Sequence, residues 1–258
     1  MPAFDKEKMM RDMKKRAQER QDSLTKKSGG GGKFAYFDAP NGVSLWKPKE
    51  EKVHVIDILP YTIGKNGGTS QGDLDYTFLA HVHQNVGPEN KRVVCPKKTF
   101  GSEHKCPICE EVSRLYEIGD KTSAKALQPK RRVLYNVIVR DGAAEEAKGV
   151  QIYEVSHFYV EQRLQDAAQM EDGGISVFMD PVDGQSIGIL YGMSDNPGPN
   201  GKNYLEVKAL SSKARKTQIT DEELESVVAL DETLRVHSYE EIAAMFRPAE
   251  SVGEEAAA

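Results

Sequence analysis

The three cysteines of this 258-residue chain fall at Cys95, Cys106 and Cys109, inside fifteen residues, and they end on a Cys-Pro-Ile-Cys turn. His81 and His83 lie a dozen positions upstream. Zinc prefers four tetrahedral thiolate or imidazole ligands, and two cysteines separated by two residues grip it from one tight turn. The pattern H-x11-C-x10-C-x2-C therefore supplies a complete shell, predicted to hold one structural zinc. Three unrelated buried thiols would not gather around such a turn. An odd cysteine count argues against a disulfide framework. With no signal peptide and no apolar stretch of bilayer length, the expected compartment is a reducing cytosol.

The histidine ligand is read from Tyr76-Thr-Phe-Leu-Ala-His-Val-His. Its alternation predicts a strand, which puts His81 and His83 on one face, and only one of them is needed. His83 is favoured because it stands closer to the Asn85-Val-Gly-Pro turn; His81 is the alternative. His104 sits too near Cys106 for easy geometry and reads as a solvated loop residue. His54, His157 and His237 have no ligand spacing around them.

Hydrophobic residues make up 38% of the chain and mean hydropathy is −0.57, which favours one main domain with polar appendages. The net charge of −5 conceals an asymmetry. Residues 1–33 carry ten Lys and Arg against five acids, residues 91–132 eleven against five, and residues 221–258 two against eleven. Residues 1–27 read as a helix with Met9, Met10 and Met13 on one stripe, and Ser28 with Gly29–Gly32 reads as a flexible linker. The expected division is a basic arm at 1–33, a core at 34–248 and a short acidic tail at 249–258.

From Phe34 onward the chain is expected to be mainly β with helical insertions, an α+β protein. Strands are predicted at 53–59, 76–82, 133–139, 150–155, 186–191 and 203–208, as β-branched or aromatic runs bounded by Gly, Asn, Asp and Pro. Such spacing suits a small barrel or sandwich. Helices are predicted at 108–115, 160–170, after Thr220 and from Ser238 to Phe246. The last two carry capping boxes, Thr220 with Glu223 and Ser238 with Glu241.

Cations cluster near the cysteines. Lys97 and Lys98 lie in the metal loops, and Lys130, Arg131 and Arg132 lead into a strand carrying Tyr135. Single-stranded nucleic acid needs this combination, since phosphates take the charge and unpaired bases stack on rings. Tyr135 is chosen for stacking because it follows Arg132, although Val133 and Leu134 on opposite faces leave the cleft side open; Tyr76, Phe100 and Tyr116 are further candidates. Catalytic patterns are missing. Zinc deaminases need His-x-Glu before Pro-Cys-x-x-Cys, and neither histidine is followed by that glutamate. Phosphate-binding, nucleophile-elbow and His-Glu-x2-His motifs do not occur. The chain is expected not to be an enzyme.

Taken in order, these features resemble the single-stranded DNA-binding, helix-destabilising proteins of T-even and related tailed phages. The likeness spans about residues 53–247. It rests on His83, Cys95 and Cys106-Pro-Ile-Cys109, then Lys130-Arg131-Arg132 leading into Leu134-Tyr-Asn-Val-Ile-Val-Arg-Asp. Gly149-Val-Gln-Ile-Tyr-Glu-Val, the Asp180-Pro-Val-Asp-Gly turn and the Ser238-Tyr-Glu-Glu-Ile helix follow. The resemblance implies an OB-fold barrel with an inserted zinc subdomain at about 81–132, forming one wall of a cleft for single-stranded DNA. It implies cooperative self-association through residues 1–28. It also implies recruitment of phage replication and recombination proteins by the acidic end, here Glu250, Glu254 and Glu255. The role would be coating of single strands during replication, recombination and repair in the cytoplasm of an infected bacterium, with no membrane partner. The alternatives are an RNA-binding zinc-ribbon regulator and a structural adaptor whose zinc knuckle holds a protein interface.

Overall fold

The computed structural model describes residues 36–40, 42–198 and 201–247. The basic arm with its helix and linker, and the acidic tail at 249–258, lie outside the described residues. The fold is mixed α+β and mainly sheet. In chain order the strands are β1 (Ser44–Trp46), β2 (Val53–Leu59), β3 (Tyr61–Thr62), β4 (Leu74–Asp75), β5 (Phe78–Val86), β6 (Lys91–Val94), β7 (Lys130–Val139), β8 (Gln151–Ser156), β9 (Gln185–Met193) and β10 (Leu205–Ala214). The helices are α1 (Pro96–Thr99), α2 (Pro107–Glu117), α3 (Lys121–Leu127), α4 (Ala143–Glu146), α5 (Glu161–Ala168), α6 (Ser176–Met179), α7 (Asp221–Glu225) and α8 (Tyr239–Phe246). Both expected capping boxes form, Thr220 with Glu223 opening α7 and Ser238 with Glu241 opening α8.

The chain divides into two compact units. One contains Asp38–Leu79 and Arg131–Thr233; the other contains Ala80–Lys130 together with residues 36–37 and 234–247.

In the first unit the strands lie in the order β1-β8-β7-β2-β9-β10. β2 is central and changes partner along its length. Val53 to Ile56 pair with β9, and Ile56 to Leu59 pair with β7. Only Ile56 is shared between the two ladders, a stagger that lets a sheet curl over its inner face. That face carries Ile56, Ile58, Val133, Tyr135, Val137, Tyr153, Ile187, Ile189 and Tyr191, with Trp46 at its edge. Each such side chain stabilises the fold by about 1.5–3 kcal/mol on burial. Helix α5 covers it through Leu164 and Ala168, four residues apart on one side of the helix.

Two polar clusters are built into this unit. The hydroxyls of Tyr76 and Tyr135 donate to the buried Glu161 carboxylate, which also accepts from Gln165 Nε2 at 2.6 Å. Asp57, wholly buried, accepts from Arg140 Nε at 2.7 Å, Arg215 Nε at 3.2 Å and Ser186 Oγ at 2.5 Å. Both carboxylates therefore have the partners that a buried charge requires.

Tyr135 corrects the sequence reading. Its ring has 0% exposure, it stacks on Tyr153 at 6.0 Å, and its hydroxyl is bound to Glu161. No base can reach it in this fold. β7 is buried on both faces, since Asn136 on the opposite side exchanges hydrogen bonds with the Val228 backbone at 2.9 and 3.1 Å. Proximity to Arg132 in the chain therefore says nothing about exposure.

The second unit is smaller. Its apolar core is Val86, Val93, Ile108 and Ile242, with the three cysteines among them and Leu127, Met245 and Phe246 packed alongside. Helix α8 brings Ile242 into that core. Its ends are fixed by Tyr239 Oη donating to Glu110 at 2.6 Å and by Arg247 pairing with Glu111 at 2.5 Å. Gly87 makes the approach to α8 feasible. Its φ is +65°, and a Cβ there would lie 2.0 Å from the Met245 carbonyl oxygen.

Candidate metal centre

Each ligand position follows from local chain geometry. β5 and β6 form an antiparallel hairpin with His83 opposite Val93. The register slips immediately after His83, where Asn85 adopts φ 56°. Cys95 directly follows β6 and stands at the N-cap of α1, with Pro96 at its first position. Cys106 repeats the arrangement at the N-cap of α2 with Pro107 following, and Cys109 lies in that helix's first turn. Proline starts a helix without losing a needed donor, so each Cys-Pro step fixes an extended cysteine against a helix start.

The four side chains converge. Their ligand atoms all lie within 4.8 Å of one another, and all four residues are buried. Cys95 Sγ is 3.4 Å from Cys109 Sγ, and His83 Nε2 is 3.5 Å from Cys106 Sγ and 3.7 Å from Cys109 Sγ. A tetrahedron with metal–sulfur bonds of about 2.3 Å has edges of roughly 3.7 Å, so the donors are spaced for one tetrahedral ion. His83 Nδ1 donates to the Leu127 carbonyl at 2.8 Å, which fixes the tautomer that leaves Nε2 facing the sulfurs. This buried Cys3His cluster fits one metal ion, as its donor set requires. His83 is the histidine in the cluster, not His81. His104 lies outside it, exposed beside Glu103 and Phe100.

The donors of the cluster strongly perturb one another. Burial opposes charge on His83, but hydrogen bonding to the Cys106 and Cys109 sulfurs outweighs it and raises the imidazole pKa to about 9. Hydrogen bonding with Cys109 and Cys95 drives the Cys106 thiol well below its ordinary value, while hydrogen bonding with Cys106 and Cys109 drives Cys95 well above it. A dry pocket of three sulfurs and an imidazole holds thiolate charge at the expense of its neighbours, and a divalent cation relieves that competition.

The expected nucleic-acid contacts divide between the two units. In the metal unit, Lys98 and Lys130 are exposed, whereas Lys97 is half-buried on α1. Phe100 is half-buried with its ring edge-on to His104 at 6.0 Å, and Tyr116 is exposed with its hydroxyl bound to Gln128 at 2.7 Å. In the sheet unit, Arg131 is exposed, Arg132 pairs with Glu154 at 2.6 Å, and Tyr76 is half-buried on Glu161. Sequence reasoning also missed a buried pair, His54 with Asp141 at 2.5 Å, whose carboxylate accepts in addition from the Val55 amide. That pair ties the start of β2 to the chain following β7, so His54 is structural.

Comparison of the sequence with protein-family models gives no match, and comparison with curated proteins gives none either. No helix among the described residues is long and apolar enough to cross a membrane.

Proposed function

We propose that this chain is a non-enzymatic, sequence-independent single-stranded DNA-binding protein, similar to the helix-destabilising proteins of T-even and related tailed phages. In this reading the curled sheet is an OB-type core, and the Cys3His cluster holds one structural zinc. The observation that carries the reading is the ligand set. His83, Cys95 and the Cys106-Pro-Ile-Cys109 knuckle are the motif on which the resemblance to that family rests, and their donor atoms lie within 4.8 Å of one another. Four protein donors fill a tetrahedral shell and leave no position for a reactive water, which favours a scaffold over a catalyst. Exposed Lys98, Lys130 and Arg131 supply charge of the sign a phosphate backbone requires. Self-association through residues 1–28 and recruitment of replication and recombination partners through the acidic end belong to the same proposal, as does the cytoplasm of an infected bacterium.

The test is anisotropy of dye-labelled oligo-dT, with oligo-U and duplex DNA as competitors, over a range of salt. A dye is needed because Trp46, the chain's single tryptophan, is packed in the core against Tyr153 at 4.7 Å. Tight, salt-sensitive binding of oligo-dT that duplex fails to displace supports the reading. Preference for oligo-U favours an RNA-binding regulator, and no binding to either favours a structural adaptor.

A further inference from the structure

With Tyr135 and the Tyr76 hydroxyl committed to the interior, the sheet unit presents a different set of rings to solvent. β8 ends at Ser156, α5 begins at Glu161, and the four residues between them form a tight turn. The turn is held at both ends. The His157 amide donates to the Arg131 carbonyl at 3.2 Å, the Tyr159 amide to the Ser156 carbonyl at 3.1 Å, and the Gln162 amide to the His157 carbonyl at 3.0 Å. Phe158 stands at its tip with 59% of its surface exposed.

A single exposed apolar residue is ordinary, but Phe158 is not alone. The Tyr159 ring meets it edge-on at 5.5 Å, and Tyr159 is also a neighbour of Tyr204, which is itself 46% exposed. Helix α5 fixes the same neighbourhood to β10, since Arg163 donates to the Val207 and Lys208 carbonyls at 3.2 and 3.0 Å. Two exposed rings, Phe158 and Tyr204, thus adjoin the half-buried Tyr159, which packs against the core. Arg131, at the strand end hydrogen-bonded to this turn, is exposed, and its charge acts on His157, the residue before Phe158.

We propose that Phe158, backed by Tyr159 and Tyr204, is a platform on which unpaired nucleobases stack, with the Arg131 guanidinium taking an adjoining phosphate. The proposal rests on the single-stranded DNA reading above and assigns it an aromatic site that the sequence did not reveal. A fixed ring with one free face suits any base, because every base has a π-face, and the neighbouring cation suits the charge each nucleotide brings. A protein partner of apolar surface would gain nothing from that cation.

The experiment compares the full-length parent with Phe158→Ala, Phe158→Trp and Arg131→Ala on labelled oligo-dT and on an abasic strand of the same length. Phe158→Ala should weaken oligo-dT binding by about 5- to 150-fold with the salt slope unchanged, and Phe158→Trp should retain affinity. On the abasic strand the parent and Phe158→Ala should bind alike. Arg131→Ala should flatten the dependence of log K on log salt by about 0.7. The platform is overturned if Phe158→Ala binds oligo-dT as the parent does, or if it loses equal affinity for the abasic strand. A parent that binds no oligo-dT at all overturns the single-stranded DNA reading itself, a result separable from the other two. Thermal midpoints of the variants check folding, and a ring this exposed should leave them unchanged.

Discussion

The sheet unit buries a continuous face of Ile, Val and Tyr side chains from successive strands, closed by Leu164, Ala168 and Phe178. The metal unit gathers Val86, Val93, Ile108 and Ile242 around three cysteines, and also buries Ala80, Val82, Val94 and Ala124. One unit meets the entropic cost of ordering its chain with apolar area; the other, smaller one adds to its apolar core a set of donors that a cation can bind together. Polar groups are used differently too. Asp57 and Glu161 are satisfied within the sheet unit by fixed protein donors. The sulfurs and His83 have mainly each other and the Leu127 carbonyl.

The largest expected effect follows from breaking the metal shell. Freshly purified protein should contain one zinc per chain. Cys106→Ser should abolish retention of the ion and collapse the thermal stability of the metal unit, because structural zinc in small modules is worth about 10–16 kcal/mol. An unchanged melting profile for Cys106→Ser would show that the apolar contacts suffice.

Asp57→Ala attacks the other unit. It leaves Arg140 and Arg215 facing a buried void and should cost about 3–5 kcal/mol, read as a lowered denaturant midpoint with full metal content. Loss of zinc in this variant would mean that the two units do not answer to separate supports.

Ile242→Ala is intermediate. Deleting a fully buried aliphatic from so small a core should cost about 2–5 kcal/mol and accelerate zinc transfer to a chelator, followed by a colorimetric dye. Chelation kinetics equal to the parent's would detach α8 from the metal unit's stability.

The smallest effect separates the units by pH. Burial raises the pKa of Tyr191 to about 12, and burial together with Glu161 raises Tyr76 and Tyr135 as well. The unfolded chain deprotonates near 10 while the folded sheet unit keeps its protons, so this contribution is complete below pH 10 and is lost as pH rises towards 12. Denaturant titrations at pH 9 and 11 should show a lower midpoint for the sheet unit at the higher pH, and Tyr191→Phe should lessen the drop.

What could be read from the sequence follows the range of each interaction. The capping boxes and the two Cys-Pro helix starts are contained within a few residues and were visible. So was the metal ligand set, because the cysteines are close together. The choice of His83 over His81 depends on a carbonyl 44 residues away, at Leu127. The Asp57 cluster joins residues 83 and 158 positions apart. Tyr135 misled because alternation identifies a face only when one face is wet, and residues around Val228 cover the second. Phe158 was missed, since nothing in His157-Phe-Tyr-Val160 says that this ring is exposed while the Tyr159 ring beside it is half-buried.

The contrast between the units is tested most directly by hydrogen exchange on the full chain with and without a zinc chelator, read by peptide mass. Protection should be lost across residues 80–130 and 234–247, α8 included, while peptides from β2, β7 beyond Arg131, β8 and β9 keep theirs. Uniform loss over the whole chain, or protection in 80–130 that ignores the chelator, would contradict the division into a metal-held unit and a self-sufficient sheet.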